Sequence, residues 1–535
     1  MKYLLGLLAT LLPLAAGAQP VSHATSVDLR AVRTLDGNPI RLAHDPGTGA
    51  LWYTDFADRL VRLDPPYETS ALVVVATREE HGTPKVRGLA MGPDGAIYLV
   101  GNEEDEFETR GVVRRGTLTD GVWAWEDVLR AEATATTGGA FDHQFSSITF
   151  SPDGAWMYIA SGSRTDHGEI QPHGDAYPGL REQPINTKLF RLPADARDVV
   201  LPNNDTALHA MGAVYAEGFR NAFDLAWDPD GELFAAENSG DRDDAEELNW
   251  VRDGHHYGFP WRMGLHDTPQ RFPGYDPDAD SLVNPRAYAY RNGYFYDDLT
   301  YPAPPDGVTF TDPLVNIGPD ADVYRTAEGP IRDASETGAT VGSFTPHRSP
   351  LGLVFDVNRE LPVAYRGDGF VLSYTPSDSH LLEPFGDTSE DLLHLQVSPD
   401  RTEMAVTRLA SGFDQPIDAV LIGHTLYVME LSSGLWALDF RDATSTEPDA
   451  VSGLRLSTAP NPSRGDARVR LALAIPQSVR VSVVDALGRE VVVLHEGVLG
   501  MGTSVLEVPD LAAGVYRVLV TGEQETASAG LTVAR

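Results

Sequence analysis

Short apolar runs dominate this chain, broken at close intervals by Pro, Asp and Gly, and no run sustains a helical period. One phrase returns along the sequence. It reads Asp45-Pro46-Gly47-Thr48-Gly49-Ala50-Leu51-Trp52-Tyr53, then Gly92-Pro93-Asp94-Gly95-Ala96-Ile97-Tyr98, Ser151-Pro152-Asp153-Gly154-Ala155-Trp156-Met157-Tyr158 and Asp228-Pro229-Asp230-Gly231-Glu232-Leu233-Phe234. A degenerate copy is Ile422-Gly423-His424-Thr425-Leu426-Tyr427. Pro presets φ, Asp tolerates the turn and Gly supplies the left-handed position, so each copy predicts a tight hairpin between two strands. A recurring strand–turn–strand unit with variable loops predicts propeller blades. With a further blade over residues 351–374 the count is about six, five and seven being also compatible. Ring closure removes exposed edges, and strands near residues 32–42 are expected to complete the last blade, which contains residues 425–440. The stretch 263–344 has no blade signature and is expected to cover one face.

After about Asp442 the pattern changes. Residues 443–458 read as a linker, rich at first in Ser, Thr, Asp and Gly. Strict alternation follows in RVRLALAI, SVRVSVVDALGREVVVL and GVYRVLVTG, which predicts half-buried strands of a small β-sandwich over 459–535. The predicted fold is therefore all-β: a six-bladed propeller over 25–442, then the sandwich. Asp485-Ala486-Leu487-Gly488-Arg489 suits a hairpin turn. Together with Ala459-Pro460-Asn461-Pro462 and Leu511-Ala512-Ala513-Gly514-Val515-Tyr516, it resembles the C-terminal sorting domain of the type IX secretion system. That resemblance implies the type IX machinery as a partner, and release or attachment at the outer surface. At the other end, Lys2 precedes an apolar run to about Ala16, and Ala16-Gly17-Ala18 supplies small residues. Residues 1–18 read as a signal peptide cleaved near Ala18, too short in its apolar part to favour a spanning helix. No later segment is apolar enough to span a bilayer.

Charge narrows the functions. The 535 residues carry 78 Asp+Glu against 41 Lys+Arg, a net charge of -37, which argues against nucleic acid as a partner. Carboxylate-rich loops of such a chain suit calcium. With no Cys, disulfides, thiolate zinc sites and thiol nucleophiles are excluded. No Gly-x-Ser-x-Gly elbow, His-Glu-x-x-His or phosphate-binding glycine loop occurs.

The segment richest in chemistry runs from Ala216 to Trp261. It holds Gly218-Phe219-Arg220-Asn221, the hairpin at Pro229-Asp230-Gly231, an acidic loop from Glu237 to Glu247 and Tyr257-Gly258-Phe259-Pro260. Such a loop carries enough like charge to need a cation, although a solvated acidic loop is the commoner fate of a charge run. Upstream lies Asp142-His143-Gln144. This order of motifs resembles the soluble, pyrroloquinoline-quinone-dependent glucose and sorbosone dehydrogenases, as does Ser349-Pro350-Leu351-Gly352. The resemblance implies a six-bladed propeller that oxidises a sugar or similar polyol with bound quinone and calcium. It implies that His143 is the general base, Arg220 faces the quinone carboxylates or the oxygen where charge develops, and Asn221 binds the cofactor. Asp142, Gln144 and Gly240 join the expected cofactor set, with Asp142 able to bias the His143 tautomer. Backbone carbonyls near Gly240 and Asp241, with Glu246 and Glu247 nearby, form the expected calcium set. The chain departs from the family at Phe145-Ser146-Ser147, where aldose-oxidising members read Gly-Gly-Arg, and at Phe413-Asp414-Gln415-Pro416, where they read Gly-x-Arg-Pro. Two other readings share the propeller: a non-redox calcium-binding protein that binds carbohydrate or acts as a surface scaffold, and a metal-dependent lactonase. The electron acceptor is not readable. Asp166-His167-Gly168-Glu169, with His173 and Asp175, is expected in an exposed loop, and Tyr288, Tyr290, Tyr294, Tyr296 and Tyr301 in a β-hairpin lid.

Overall fold

A computed structural model describes residues 19–441, 454–459, 463, 467–473, 477–485, 489–499, 502–509, 511–522 and 526–534. The signal peptide, most of the linker, Pro460-Asn461-Pro462 and the residues Ala486 to Gly488 lie outside the described residues. Each recurring phrase is a hairpin turn. Gly49, Gly95, Gly154, Gly231 and Gly423 all have φ between +57° and +82°, and they join the innermost strand of a blade to its second strand, as in the pairing of Phe150 with Met157 and Trp227 with Leu233. The turn Asp side chains fold back on the chain: Asp94 accepts from the Ala96 N–H at 3.1 Å and Asp153 from the Ala155 N–H at 3.0 Å.

Six sheets, each opening with antiparallel strands, follow one another. Blade one holds Pro39–His44, Leu51–Asp55, Leu60–Leu63 and Leu72–Ala76. Blade two opens with Gly88–Met91 and Ile97–Glu104, blade three with Phe145–Phe150 and Trp156–Ser161, blade four with Ala222–Trp227 and Leu233–Glu237. Blade five opens with Pro350–Phe355 and Gly369–Ser373, blade six with Pro416–Ile422 and Thr425–Glu430. The six opening strands touch in turn around the axis, and that of blade six returns to that of blade one, which makes the ring six-bladed. The last blade is completed by Val27–Thr34, paired from Val27–Phe440 to Thr34–Gly434. The closing strand thus lies earlier than residues 32–42: the chain turns at Gly37, φ +77°, and Pro39–His44 already opens blade one.

The axis is plugged by Arg41, 3% exposed. Its guanidinium donates to the carbonyls of Arg87 at 2.6 Å, Ser146 at 3.1 Å and Phe223, and lies 3.5 Å from Asp224. One side chain of blade one thereby ties blades two, three and four. Apolar clusters fill the wedges between blades, such as Phe370, Leu372, Leu392, Leu426, Val428 and Leu438 between blades five and six.

Residues 262–345 are not one sheet. They contribute a short hairpin, a helical turn Tyr288–Arg291 and Val315–Pro319, which lies parallel to Glu403–Ser411 at the edge of blade five. The tyrosines are therefore not a β-hairpin lid. Tyr288 and Tyr294 instead pack edge-on against Phe141 at 5.6 and 6.5 Å. At the C-terminus a three-stranded and a four-stranded sheet share a core containing Val469, Leu471, Val481, Val483, Val518 and Leu531, which is the β-sandwich.

Candidate active site

In a propeller, the loops entering each innermost strand and the loops from second to third strands open on the same face. Residues 142–144 and 218–221 are of the first kind and the 238–246 loop of the second, so topology alone gathers them. At the axis on this face is a cavity of about 260 Å³ lined by Lys85, Arg87, Asn102, Glu104, Asp142, His143, Gln144, Phe145, Ser146, Asn221 and Phe223. Below it, a cavity of about 190 Å³ contains Arg41, Asp224 and Asp418.

His143 faces the upper pit from dense surroundings. Its main-chain N–H donates to the Ser163 carbonyl at 2.7 Å. Its Nδ1 lies a long 3.4 Å from Ser163 Oγ, whose own hydroxyl donates to the Thr165 carbonyl at 3.0 Å. Ser163 can then only accept, which assigns the Nδ1–H tautomer and leaves Nε2 an acceptor without a partner among the described residues. Burial first and the nearby Arg220 second hold the imidazole down to about 3, so the ring is neutral at ordinary pH. Gly162 allows this closeness: a Cβ there would lie 2.6 Å from His143 Cβ and 3.1 Å from the Arg220 carbonyl. Asp142 does not touch the imidazole. Its oxygens accept from Arg164 Nη1 at 2.5 Å, from the Thr137 N–H at 2.8 Å and from Thr136, so the expected tautomer control passes to Ser163. Gln144 lines the pit with its side chain unbonded among the described residues.

Arg220 lies beside this pit but does not open its fork into it. Nε donates to the Asp166 carbonyl at 2.8 Å, Nη2 to Asp166 Oδ1 at 3.0 Å and Nη1 to the Asn238 carbonyl at 3.3 Å. Three of the five guanidinium N–H groups are thus spent on the protein itself. Gly218, φ +84°, makes its turn possible, since a Cβ would lie 2.4 Å from His256 Nδ1. Asn221 reaches the pit and donates to Asn238 Oδ1 at 2.8 Å.

The acidic loop is built, not solvated, and within the expected calcium set the Glu246 and Glu247 side chains point apart. Glu246 accepts from the Ser239 N–H at 2.7 Å and the Ser349 N–H at 3.2 Å. Glu247, the next residue along the strand, turns to the opposite side, where it accepts from the Gly264 N–H at 2.7 Å and from Asn249 Nδ2 at 2.9 Å. Asn249 Nδ2 also donates at 3.0 Å to Glu237, which faces Glu247 across the strand pair. Burial, and for Glu237 also the repulsion of Glu247, raises both carboxyls, Glu247 to about 7, so the pair retains a proton. Asp241 receives the Ala289 N–H at 2.7 Å, and Gly240 closes on Asp166, whose Oδ1 a Cβ would approach to 2.9 Å. Main-chain amides therefore satisfy these carboxylates. Among the described residues, three side chains whose ligand atoms do converge are Asp205, His209 and Glu217, and Lys188 Nζ sits among them at 2.6 Å from Glu217.

Sequence reasoning missed the hub of the site. Asp166, His167 and Glu169 are buried, against the expectation of an exposed loop. His167 Nδ1 lies 2.9 Å from Asp166, its ring stacks at 4.3 Å on Phe295 and Nε2 meets Gln270 at 3.0 Å. Burial opposes its charge, but Glu169 and Asp166 outweigh burial and raise it to about 9. The signal available was the run of three ligand-type residues, Asp166, His167 and Glu169, within four positions. Arg164 was also missed. It holds Asp142 and the His143 carbonyl at 2.7 Å from a fully buried position.

Residues 94–290 match the family model described as glucose/sorbosone dehydrogenase. Residues 457–533 match the secretion system C-terminal sorting domain. The chain thus carries a glucose/sorbosone dehydrogenase region within its propeller, and the sorting domain indicates a secreted or outer-surface location. No curated protein sequence matches. Among solved structures, the soluble aldose sugar dehydrogenase of Escherichia coli is similar at 18% identity, over 78% of this chain and 100% of that one, with a TM-score of 0.48. The pyranose dehydrogenase PQQ domain of Coprinopsis cinerea is similar at 14% identity, 80% and 98% coverage and a TM-score of 0.49. A gluconolactonase of Xanthomonas campestris gives 11%, 79%, 95% and 0.38. Among the described residues no helix is long and apolar enough to cross a membrane.

Proposed function

We propose that this protein is an exported, quinone-dependent sugar dehydrogenase, acting on a sugar or similar polyol hydroxyl with His143 as general base. The observation that carries the reading is the free Nε2 of a neutral imidazole at the rim of an axial pit. A base must be unprotonated and within reach of the proton it takes. His143 satisfies the first condition at any ordinary pH. A value near 3 makes a weak base, and an anion bound beside it would lift the imidazole toward the working range.

The donors lining the pit suit a planar, carboxylated quinone: the Gln144 and Asn221 amides and the Arg87 guanidinium. Bound there, such a quinone would supply the two-electron acceptor. His143 would hold the substrate hydroxyl and remove its proton, and Ser163 would keep the ring in the required tautomer. Arg220, bound to Asp166 and Asn238, would fix the entry to blade four that carries Asn221. The residues fit calcium less well, because Glu246 and Glu247 diverge and each is satisfied by amides. No step is assigned to that ion. The lactonase reading needs carboxylates free to hold a metal in the pit, whereas Glu104 is paired with Lys85 and Asp142 with Arg164.

The test is reconstitution of the purified protein with pyrroloquinoline quinone, followed by a screen of aldoses and polyols with an electron-accepting dye. Turnover by wild type and its loss in His143→Gln, with quinone uptake kept, is the expected result. Equal turnover by both proteins would remove His143 from the chemistry.

A further inference from the structure

The pit contains a cation that has no ion-pair partner among the described residues. Four charged side chains besides His143 line it, and three are spoken for or matched: Lys85 and Glu104 pair with each other, and Asp142 pairs with Arg164. Arg87 forms no ion pair among the described residues. Its Nη1 donates at 2.9 Å to the carbonyl of Val86, its own neighbour, and its guanidinium stands 5.3 Å from the Phe56 ring. Asp58, the acid closest in influence, spends its oxygens on the Lys85 and Val86 N–H groups at 2.9 and 2.8 Å. A second guanidinium, Arg41, sits behind, and its Nε is held by the Arg87 carbonyl at 2.6 Å. Burial is the main cause that lowers the Arg87 pKa, with Arg41 adding to it. Arg nevertheless remains charged.

A half-buried charge without a partner is costly unless a ligand completes it. Guanidinium presents a flat fork of donors that matches a carboxylate. His143 is neutral and does not compete for the anion. We infer that Arg87 is the anion anchor of the axial pit and that it binds a carboxylate group of the ligand held beside His143, Gln144 and Asn221. Two carriers have this chemistry: a carboxylated sugar, such as a uronic acid, and a carboxylated quinone. Phe56, 55% exposed next to the guanidinium, offers an aromatic face to either. A carboxylate on Arg87 also places negative charge near His143, which favours its protonated form.

The inference deepens the proposed reaction by naming what its site grips, and its test reads binding alone. Calorimetry would follow D-glucuronate, D-glucose and pyrroloquinoline quinone titrated into wild type, Arg87→Gln and Arg87→Lys, with melting temperature as the control for folding. If a sugar carboxylate is the partner, glucuronate binds wild type about tenfold or more tighter than glucose, as one charge-assisted contact allows. Arg87→Gln abolishes the preference and Arg87→Lys restores part of it. If the quinone supplies the carboxylate, the two sugars bind alike and quinone affinity falls by a similar factor in Arg87→Gln. Glucuronate and quinone binding Arg87→Gln as they bind wild type, or neither binding wild type, would overturn the inference. A dehydrogenase assay without turnover would leave it standing, since no redox step is read.

Discussion

His143 and His167 belong to the same neighbourhood yet are driven in opposite directions. His143 is held near 3 by burial and Arg220, while His167 is raised to about 9 by Glu169 and Asp166. The consequences for stability have opposite signs. Between about pH 6.5 and 3 the unfolded chain binds a proton at residue 143 that the folded chain refuses, so His143 costs stability as pH falls through that window. Replacing it by Gln should flatten the acid limb of a urea-midpoint profile measured between pH 7 and 4.5. His167 gains a proton on folding, so its contribution is complete below about 6.5 and is lost as pH rises to 9. His167→Gln removes the buried cation beside Glu169 and leaves Asp166 with Arg220 alone, and should cost about 3–5 kcal/mol at pH 6. That loss should shrink by pH 9, as paired denaturation curves would reveal. Both residues could be named from the sequence, but only one could be placed. His143 stands directly before a blade strand, where the recurring unit fixes its address. His167 lies in the long 162–187 loop, and burial there depends on Gln270 and Phe295 about a hundred residues away.

At the scale of strands and loops, alternation decides which carboxylates can act together. The Glu237–Glu247 loop reads as one acidic cluster, but Glu246 and Glu247 are adjacent on an extended strand and must point apart. That argument was available from the sequence once the end of the loop was taken as strand. What was not available is the set of amides from Ser239, Ser349 and Gly264 that satisfies them. Across the axis, Arg41 does for the opening strands what no backbone hydrogen bond can, because neighbouring blades do not share a ladder. Arg41→Leu should destabilise the propeller by about 3–5 kcal/mol, leaving three carbonyls without their donor and Asp224 without its ion-pair partner. Burial and Asp224 already hold Asp418 up at about 7. Mild acid, which neutralises both carboxyls, should return part of the loss. A melting temperature unchanged from wild type at pH 8 would contradict this role.

For the whole molecule, the blade count and the order of domains were legible because the Pro-Asp-Gly hairpin repeats and because alternation begins afresh near residue 468. The closing strand was misplaced by several residues, since strand ends are set by pairing with Gly434–Phe440 rather than by local pattern. The electrostatics of the pit were the least legible part. Blade six enters the axis through Asp414 and Gln415, whose N–H groups bond Glu430 at 2.7 Å and Glu390 at 3.2 Å, so that side carries acids. The unmatched cation comes from Arg87 of blade two, a residue with no motif around it. The two ends of the chain are separable in function: deleting residues 454–535 should stop release to the medium or outer surface while leaving the propeller's melting temperature unchanged. Fractionation of a secreting host checks this, and surface delivery of the truncated chain would contradict it.

The most direct measurement is dye reduction by the purified protein loaded with pyrroloquinoline quinone, compared between wild type and His143→Gln across a panel of neutral and carboxylated sugars. Substrate-dependent turnover in wild type that falls by about 10²–10⁴ in the variant, with quinone still bound, is the result this account predicts. Quinone that binds and turns over equally in both proteins, or no turnover by wild type with any sugar, would contradict it.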